Sequence, residues 1–225
     1  MLLLIDDANI DAIRELCGYF PVDGVTTNPS ILAANRREPY AVLEEIRQLI
    51  GPDKQLHVQV TSQTAEDMVA EGLEILRRLG KTTYVKVPVT REGLKAIRLL
   101  KAQGCRVTAT AIYTTMQAYL AAKAGADFAA PYVNRIDNQG FDGVDTVRAM
   151  QDIFDSHGFT TQILAASFKN SRQVMDLCQY GIGAATVSPD VMESLVKNDS
   201  VAAAVEKFSR DFQRLCGEGK TMLDA

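Results

Sequence analysis

Short apolar runs alternate with longer amphipathic stretches along the whole chain. Runs of strand length fall at 2–6, 22–26, 56–60, 83–88, 106–110, 127–132, 162–167 and 184–188. Helical periodicity occupies the intervals near 9–18, 39–50, 64–79, 90–102, 113–124, 141–157, 170–180 and 189–196. One helix start is explicit. Thr64 stands as a cap before an acidic first turn (Glu66, Asp67), and Leu73, Leu76 and Leu79 then form an apolar face. Strand followed by helix, eight times over, predicts an α/β protein with one closed parallel (β/α)8, or TIM, barrel as its single domain. An open doubly wound sheet is the rival, and it would announce a Gly-rich first turn that this chain lacks. A further amphipathic segment near 199–215 lies beyond the eighth unit, placed to cap the barrel or to pack on a neighbouring subunit.

Composition narrows the functional classes. The chain has 225 residues, 47% of them hydrophobic, and a formal net charge of −4. Without clustered Lys and Arg there is little to bind nucleic acid. The four cysteines (Cys17, Cys105, Cys178 and Cys216) are scattered, with no metal-ligand spacing. They read as small thiols within or beside elements, suited to a reducing cytoplasm. The opening Met1-Leu2-Leu3-Leu4-Ile5 is too short for a signal peptide or a membrane span, so a cytoplasmic protein with no membrane partner is expected.

Barrel chemistry sits at the C-terminal ends of the strands, and polar residues gather there. The first strand ends in Asp6, and the second runs into Thr26-Thr27-Asn28. The third carries Gln59, the fourth Lys86, and the fifth Thr108 and Thr110. Tyr132 ends the sixth and leads to Asn134-Arg135, while Ser167 ends the seventh and Lys169 follows. Side chains alternate faces along a strand. If the face shared by Leu2, Leu4 and Asp6 points inward, then Asp6, Gln59, Lys86, Thr110 and Tyr132 converge on one small volume.

Each residue also has a plain structural reading. A lysine can snorkel to solvent, but Lys86 is flanked by Val85, Val87 and Pro88 on a buried strand. There an unpaired ammonium tends to lose its proton, and a neutral amine attacks carbonyls. Asp6 could cap the first helix, though Asp7 and Asn9 can do so instead. Gln59 and Thr110 could be satisfied core polars, and each is a candidate partner for the Tyr132 hydroxyl. His57 shares a face with Gln59 one layer deeper and is expected to be a hydrogen-bonded core histidine. With His157 the only other histidine, a metal site has little material.

Together the motifs resemble the transaldolase family. The run Gly24-Val25-Thr26-Thr27-Asn28-Pro29-Ser30 is similar to its first signature, and Val85-Lys86-Val87-Pro88-Val89-Thr90 to the one that holds the Schiff-base lysine. Ala130-Pro131-Tyr132-Val133-Asn134-Arg135-Ile136-Asp137 and Ala165-Ala166-Ser167-Phe168-Lys169 extend the resemblance over essentially the whole chain. It is nearest to the short fructose-6-phosphate aldolase branch, which carries Gln and Tyr where Gln59 and Tyr132 stand and where longer transaldolases carry Glu and Phe.

The resemblance implies a class I mechanism with no cofactor and no metal. Lys86 would form an imine with a ketose, and Asp6 would serve the hydroxyl at the cleaved bond. Tyr132, with Gln59 and Thr110 orienting a water, would do further acid/base work. Asn28 would bind the three-carbon unit, with Thr26 and Ala130 lining its pocket, and Arg135, Ser167 and less firmly Lys169 would meet the phosphate. Thr108 shares a strand face with Thr110, which places it toward the same pocket. It also implies a homo-oligomer, a pentamer or decamer, whose C-terminal helix crosses to a neighbour. The sequence departs from close aldolase relatives at Asp7, His57, Thr108 and Ala109, which leaves the preferred donor and acceptor open. The activity expected is reversible cleavage of fructose 6-phosphate or a related ketose to dihydroxyacetone and an aldehyde such as glyceraldehyde 3-phosphate. The alternatives are transfer of the same unit between phosphorylated or sulfonated sugars, and a non-catalytic barrel that binds sugar phosphates.

Overall fold

The computed structural model describes residues 1–224. By internal contacts the chain divides into two units, residues 1–192 and the segment from Glu193 onward. The first holds a closed parallel barrel of β1 (Leu2–Asp6), β2 (Gly24–Thr26), β3 (Gln55–Gln59), β4 (Tyr84–Pro88), β5 (Arg106–Ile112), β6 (Phe128–Pro131), β7 (Gln162–Ala165) and β8 (Ala184–Val187), in sequence order around the ring. The helices are α1 (Ile10–Tyr19), α2 (Pro29–Ala34), α3 (Pro39–Ile50), α4 (Ala65–Leu79), α5 (Arg91–Ala102), α6 (Thr115–Lys123), α7 (Val133–Asp137), α8 (Gly143–His157), α9 (Ser171–Tyr180) and α10 (Pro189–Ser194). The (β/α)8 barrel expected from the apolar pattern is therefore present.

The strand sequences explain both sides of the barrel wall. Ile5, Val25, Val58, Val85, Val87, Val107, Ala129, Ile163 and Val187 are buried on the outward face. The inward face starts apolar: Leu4, Phe128, Ala130, Leu164 and Ala184 form one cluster, with Leu2 and Tyr84 packed against it. Toward the C-terminal ends the same face turns polar, with Thr26, His57, Lys86, Thr108 and Thr186 all buried. A barrel filled by side chains at one end and polar at the other presents its chemistry at the polar mouth.

Several boundaries differ from the sequence expectation. β2 begins at Gly24, not Val22; a Cβ at Gly24 would sit 2.2 Å from the Gln55 carbonyl oxygen, so the chain needs glycine to bring β2 against β3. β7 stops at Ala165, and Ser167 lies beyond it with a left-handed φ of 60°. Tyr132 follows β6 and pairs with Ala166 through an isolated bridge. β5 runs on to Ile112 through a bulge: Ala109 pairs with Ala129 but Ile112 with Pro131, so one extra residue is accommodated, and Ala111 takes φ 59°. Two short helices were not expected, α2 and α7. α2 starts with an Asn28 cap and Pro29 at its first turn.

Helix α5 presses its first turn onto the end of β4. A Cβ at Gly93 would lie 1.8 Å from the Pro88 carbonyl oxygen, so only glycine allows the approach that fixes the strand end just past Lys86. The second unit contains α11 (Asp199–Cys216), an amphipathic helix with no buried residue and with Val201, Val205, Phe208 and Leu215 exposed. Among the described residues no helix is long and apolar enough to cross a membrane.

Candidate active site

Lys86 sits inside the polar mouth at 5% exposure, and its Nζ donates to the Thr27 carbonyl oxygen at 2.7 Å. In the ladder it lies between Gln59 of β3 and Thr108 of β5. Desolvation lowers its pKa from the ordinary lysine value, and the Asp6 charge opposes that shift. Asp6 keeps a little accessible surface yet lies deep among protein atoms. Desolvation raises its carboxyl above the usual range, while Lys86 and the Thr26 hydroxyl pull the other way. Burial thus pushes both groups toward their neutral forms, while their mutual attraction opposes it.

Asp6 is held by a short chain of hydroxyls. Thr26 Oγ1 donates to Asp6 Oδ1 at 2.7 Å, and Thr26 and Thr186 Oγ1 atoms are 2.7 Å apart. Thr26 has one proton, so with Asp6 ionised Thr186 must donate to Thr26. β2 and β8 flank β1, and their threonines can meet only inside the ring, which fixes Asp6 as an inward residue. Thr186 was not singled out from the sequence, although the alternation of the eighth strand puts it on the inward face.

On the other side, Thr110 Oγ1 and the Tyr132 hydroxyl are 2.9 Å apart. The Tyr132 ring meets Tyr113 edge-on at 5.6 Å, and the Arg135 guanidinium lies over it at 4.5 Å. Arg135 therefore makes a cation–π contact. The nearby carboxylates are engaged elsewhere: Asp137 accepts from Gly143 N and Gln173 Nε2, and Asp142 caps α8. Gln59, the other candidate partner for Tyr132, instead leaves a buried Oε1 with no hydrogen-bond partner among the described residues.

The remaining expected residues are distributed unevenly. Asn28 Oδ1 caps α2 by accepting from Ile31 N at 3.0 Å, which leaves its amide nitrogen as the end able to meet a ligand. Ala130 is packed in the apolar filling. The Thr108 hydroxyl is turned to His57. Asn134 N donates to Ser167 O at 2.8 Å, which ties the loop after β7 to α7 and brings Ser167 near Arg135. Lys169 is exposed, with its backbone N bonded to the Gln173 side chain. Two of the three non-glycine residues with positive φ among the described residues, Ala111 and Ser167, border the Thr110–Tyr132 pair and the Arg135 rim.

A family model described as transaldolase/fructose-6-phosphate aldolase matches residues 3–224 of the chain. The protein belongs to this family. Its members are transaldolases and aldolases, so this barrel is the scaffold of a carbon–carbon bond-making or bond-breaking enzyme class. The family description covers both activities.

Proposed function

We propose that the protein is a class I aldolase that cleaves fructose 6-phosphate, or a related ketose with an anionic tail, to dihydroxyacetone and an aldehyde such as glyceraldehyde 3-phosphate. The observation that carries this reading is the Lys86 amine, buried at the C-terminal end of β4 with Nζ 2.7 Å from the Thr27 carbonyl oxygen and within electrostatic reach of the Asp6 carboxyl; burial pushes its pKa down. The neutral amine adds to the ketone carbon, the carbinolamine loses water, and an iminium forms. The bond between C3 and C4 breaks as its electrons move into the iminium and the C4 hydroxyl gives its proton to Asp6. The aldehyde leaves and an enamine remains. Tyr132, polarised through Thr110, then supplies acid/base work at the enamine carbon, directly or through a water held with Gln59. Hydrolysis of the new iminium frees dihydroxyacetone and regenerates Lys86.

The unpaired Gln59 oxygen supports a water at that position, because a buried carbonyl oxygen without a partner is costly. Asn28 and Thr26 would contact the three-carbon unit, with Thr108 and Ala130 toward its floor. Arg135 and Ser167 would hold the phosphate, with Lys169 beside them. The test is release of free dihydroxyacetone from fructose 6-phosphate with no acceptor aldehyde present. Release supports the aldolase. Transfer to an added aldehyde without release would make the protein a transaldolase, acting on phosphorylated or sulfonated sugars.

We also propose a homo-oligomer, a pentamer or decamer, in which α11 lays its exposed stripe of Val201, Val205, Phe208 and Leu215 on a second copy. Placing a charge in the stripe with Phe208→Glu should reduce the assembly to monomers in analytical ultracentrifugation. An unchanged sedimentation coefficient would count against that role for α11.

A further inference from the structure

A second polar tier lies beneath Lys86; the chemistry above places Thr108 at the pocket floor and gives its partner His57 no role. His57 and Thr108 are both fully buried. His57 Nδ1 is 2.9 Å from Thr108 Oγ1, and Nε2 is 2.9 Å from Gln55 Oε1. The imidazole stacks on Tyr84 with centroids 4.5 Å apart and meets the edge of Phe128 at 5.6 Å. An amide oxygen can only accept, so Nε2 carries the ring proton and Nδ1 is the acceptor. Thr108 must then donate to Nδ1. Burial, with the charges of Lys86 and Arg47, holds the imidazole well below its ordinary pKa, which keeps this neutral arrangement in place.

The consequence falls on the lysine site. Thr108 is the residue beside Lys86 in the ladder, on the side away from Gln59. With its only proton committed to His57, it offers lone pairs alone to a group that approaches Lys86 from β5. We infer that His57 is a positioning residue and Thr108 a specificity residue, which together make the β5 wall of the lysine site a hydrogen-bond acceptor that selects donor ketones bearing a hydroxyl on the adjoining carbon. The chemical class favoured is the 1,3-dihydroxy ketone over its deoxy analogue, since a methyl group has no proton to give and leaves the buried oxygen unpaired. The inference rests on the reading of Lys86 as the imine-forming residue.

The test compares dihydroxyacetone with hydroxyacetone on the full-length protein. Labelling of Lys86 by borohydride is followed by mass, and the ketone concentration for half-maximal labelling gives a preference ratio. Thr108→Val should reduce the wild-type preference for dihydroxyacetone by roughly 5- to 10-fold, the scale of one neutral hydrogen bond. His57→Phe, which keeps a stacking ring but removes the acceptor, should reduce it similarly, and the double variant no further. Thr108→Ser should retain the wild-type ratio, which a merely structural threonine would not require. Should His57→Phe fail to fold, the two Thr108 variants decide the matter. An unchanged ratio in Thr108→Val, with Lys86 still labelled, overturns the inference. Absence of label on wild-type Lys86 with either ketone would instead remove the reading on which it rests.

Discussion

Replacing Tyr132 by Phe removes one oxygen and leaves the ring in place against Tyr113 and beneath Arg135. The structural cost is small. The hydrogen bond to Thr110, 2.9 Å long, is neutral, and its loss is worth about 0.5–1.5 kcal/mol. For a chain of this length that lowers Tm by roughly 1–6 °C. The chemical cost is much larger. A positioned general acid or base contributes about 10²–10⁴ in rate, or about 2.7–5.4 kcal/mol of barrel-site transition-state stabilisation. The two costs do not fall on both reactions alike. Release of dihydroxyacetone requires protonation of the enamine carbon, whereas capture by an aldehyde forms a carbon–carbon bond at that same atom. In Tyr132→Phe, release from fructose 6-phosphate should therefore fall about 100-fold or more, and exchange into an added acceptor aldehyde at least tenfold less. Coupled assays for free dihydroxyacetone and for the exchanged ketose read the two rates. Equal loss of both in a folded variant would refute the proposed role of the tyrosine.

Two further substitutions probe the site and its support. Asp6→Asn should lower kcat for cleavage by about 10²–10⁴ and move the acid limb of imine formation to lower pH. The sign follows from the pair: Lys86 attacks when neutral, the Asp6 charge raises its pKa, and removing that charge lowers it further below the ordinary lysine value. Cyanoborohydride trapping across pH reads the limb, and a shift to higher pH would contradict the coupling. Gly93→Ala forces a Cβ into the Pro88 carbonyl oxygen. It should cost about 1–3 kcal/mol, or roughly 2–12 °C in Tm, with loss of trapping at Lys86 as the β4 end shifts; a wild-type melting curve would show that the contact is easily relieved.

The fold was legible because the barrel imposes one rule on every strand. Outward positions must be apolar against the helices, and the runs around Val25, Val58, Val85 and Val107 obey it. The convergence of Asp6, Lys86, Thr110 and the adjoining Tyr132 followed from period-two alternation, and the structure places Asp6 and Lys86 within each other's electrostatic reach and Thr110 in contact with Tyr132. Three features were not readable. The bulge at Ala111 depends on how β5 and β6 fit together rather than on any turn residue. The α7 helix is five residues long and has no side-chain cap to signal it. The direction of the Thr108 hydroxyl depends on a partner two strands away, which alternation cannot reveal. His57 was correctly expected to be a hydrogen-bonded core residue, and only its partners needed the structure.

The central claim is that Lys86 is the nucleophile, and covalent capture tests it most directly. The protein, saturated with fructose 6-phosphate or dihydroxyacetone, is reduced with borohydride, digested and mapped by mass. A stable adduct on the peptide that carries Val85-Lys86-Val87-Pro88, absent from Lys86→Met, is the predicted result. A folded protein that carries no adduct, or carries it on another lysine, would contradict the account.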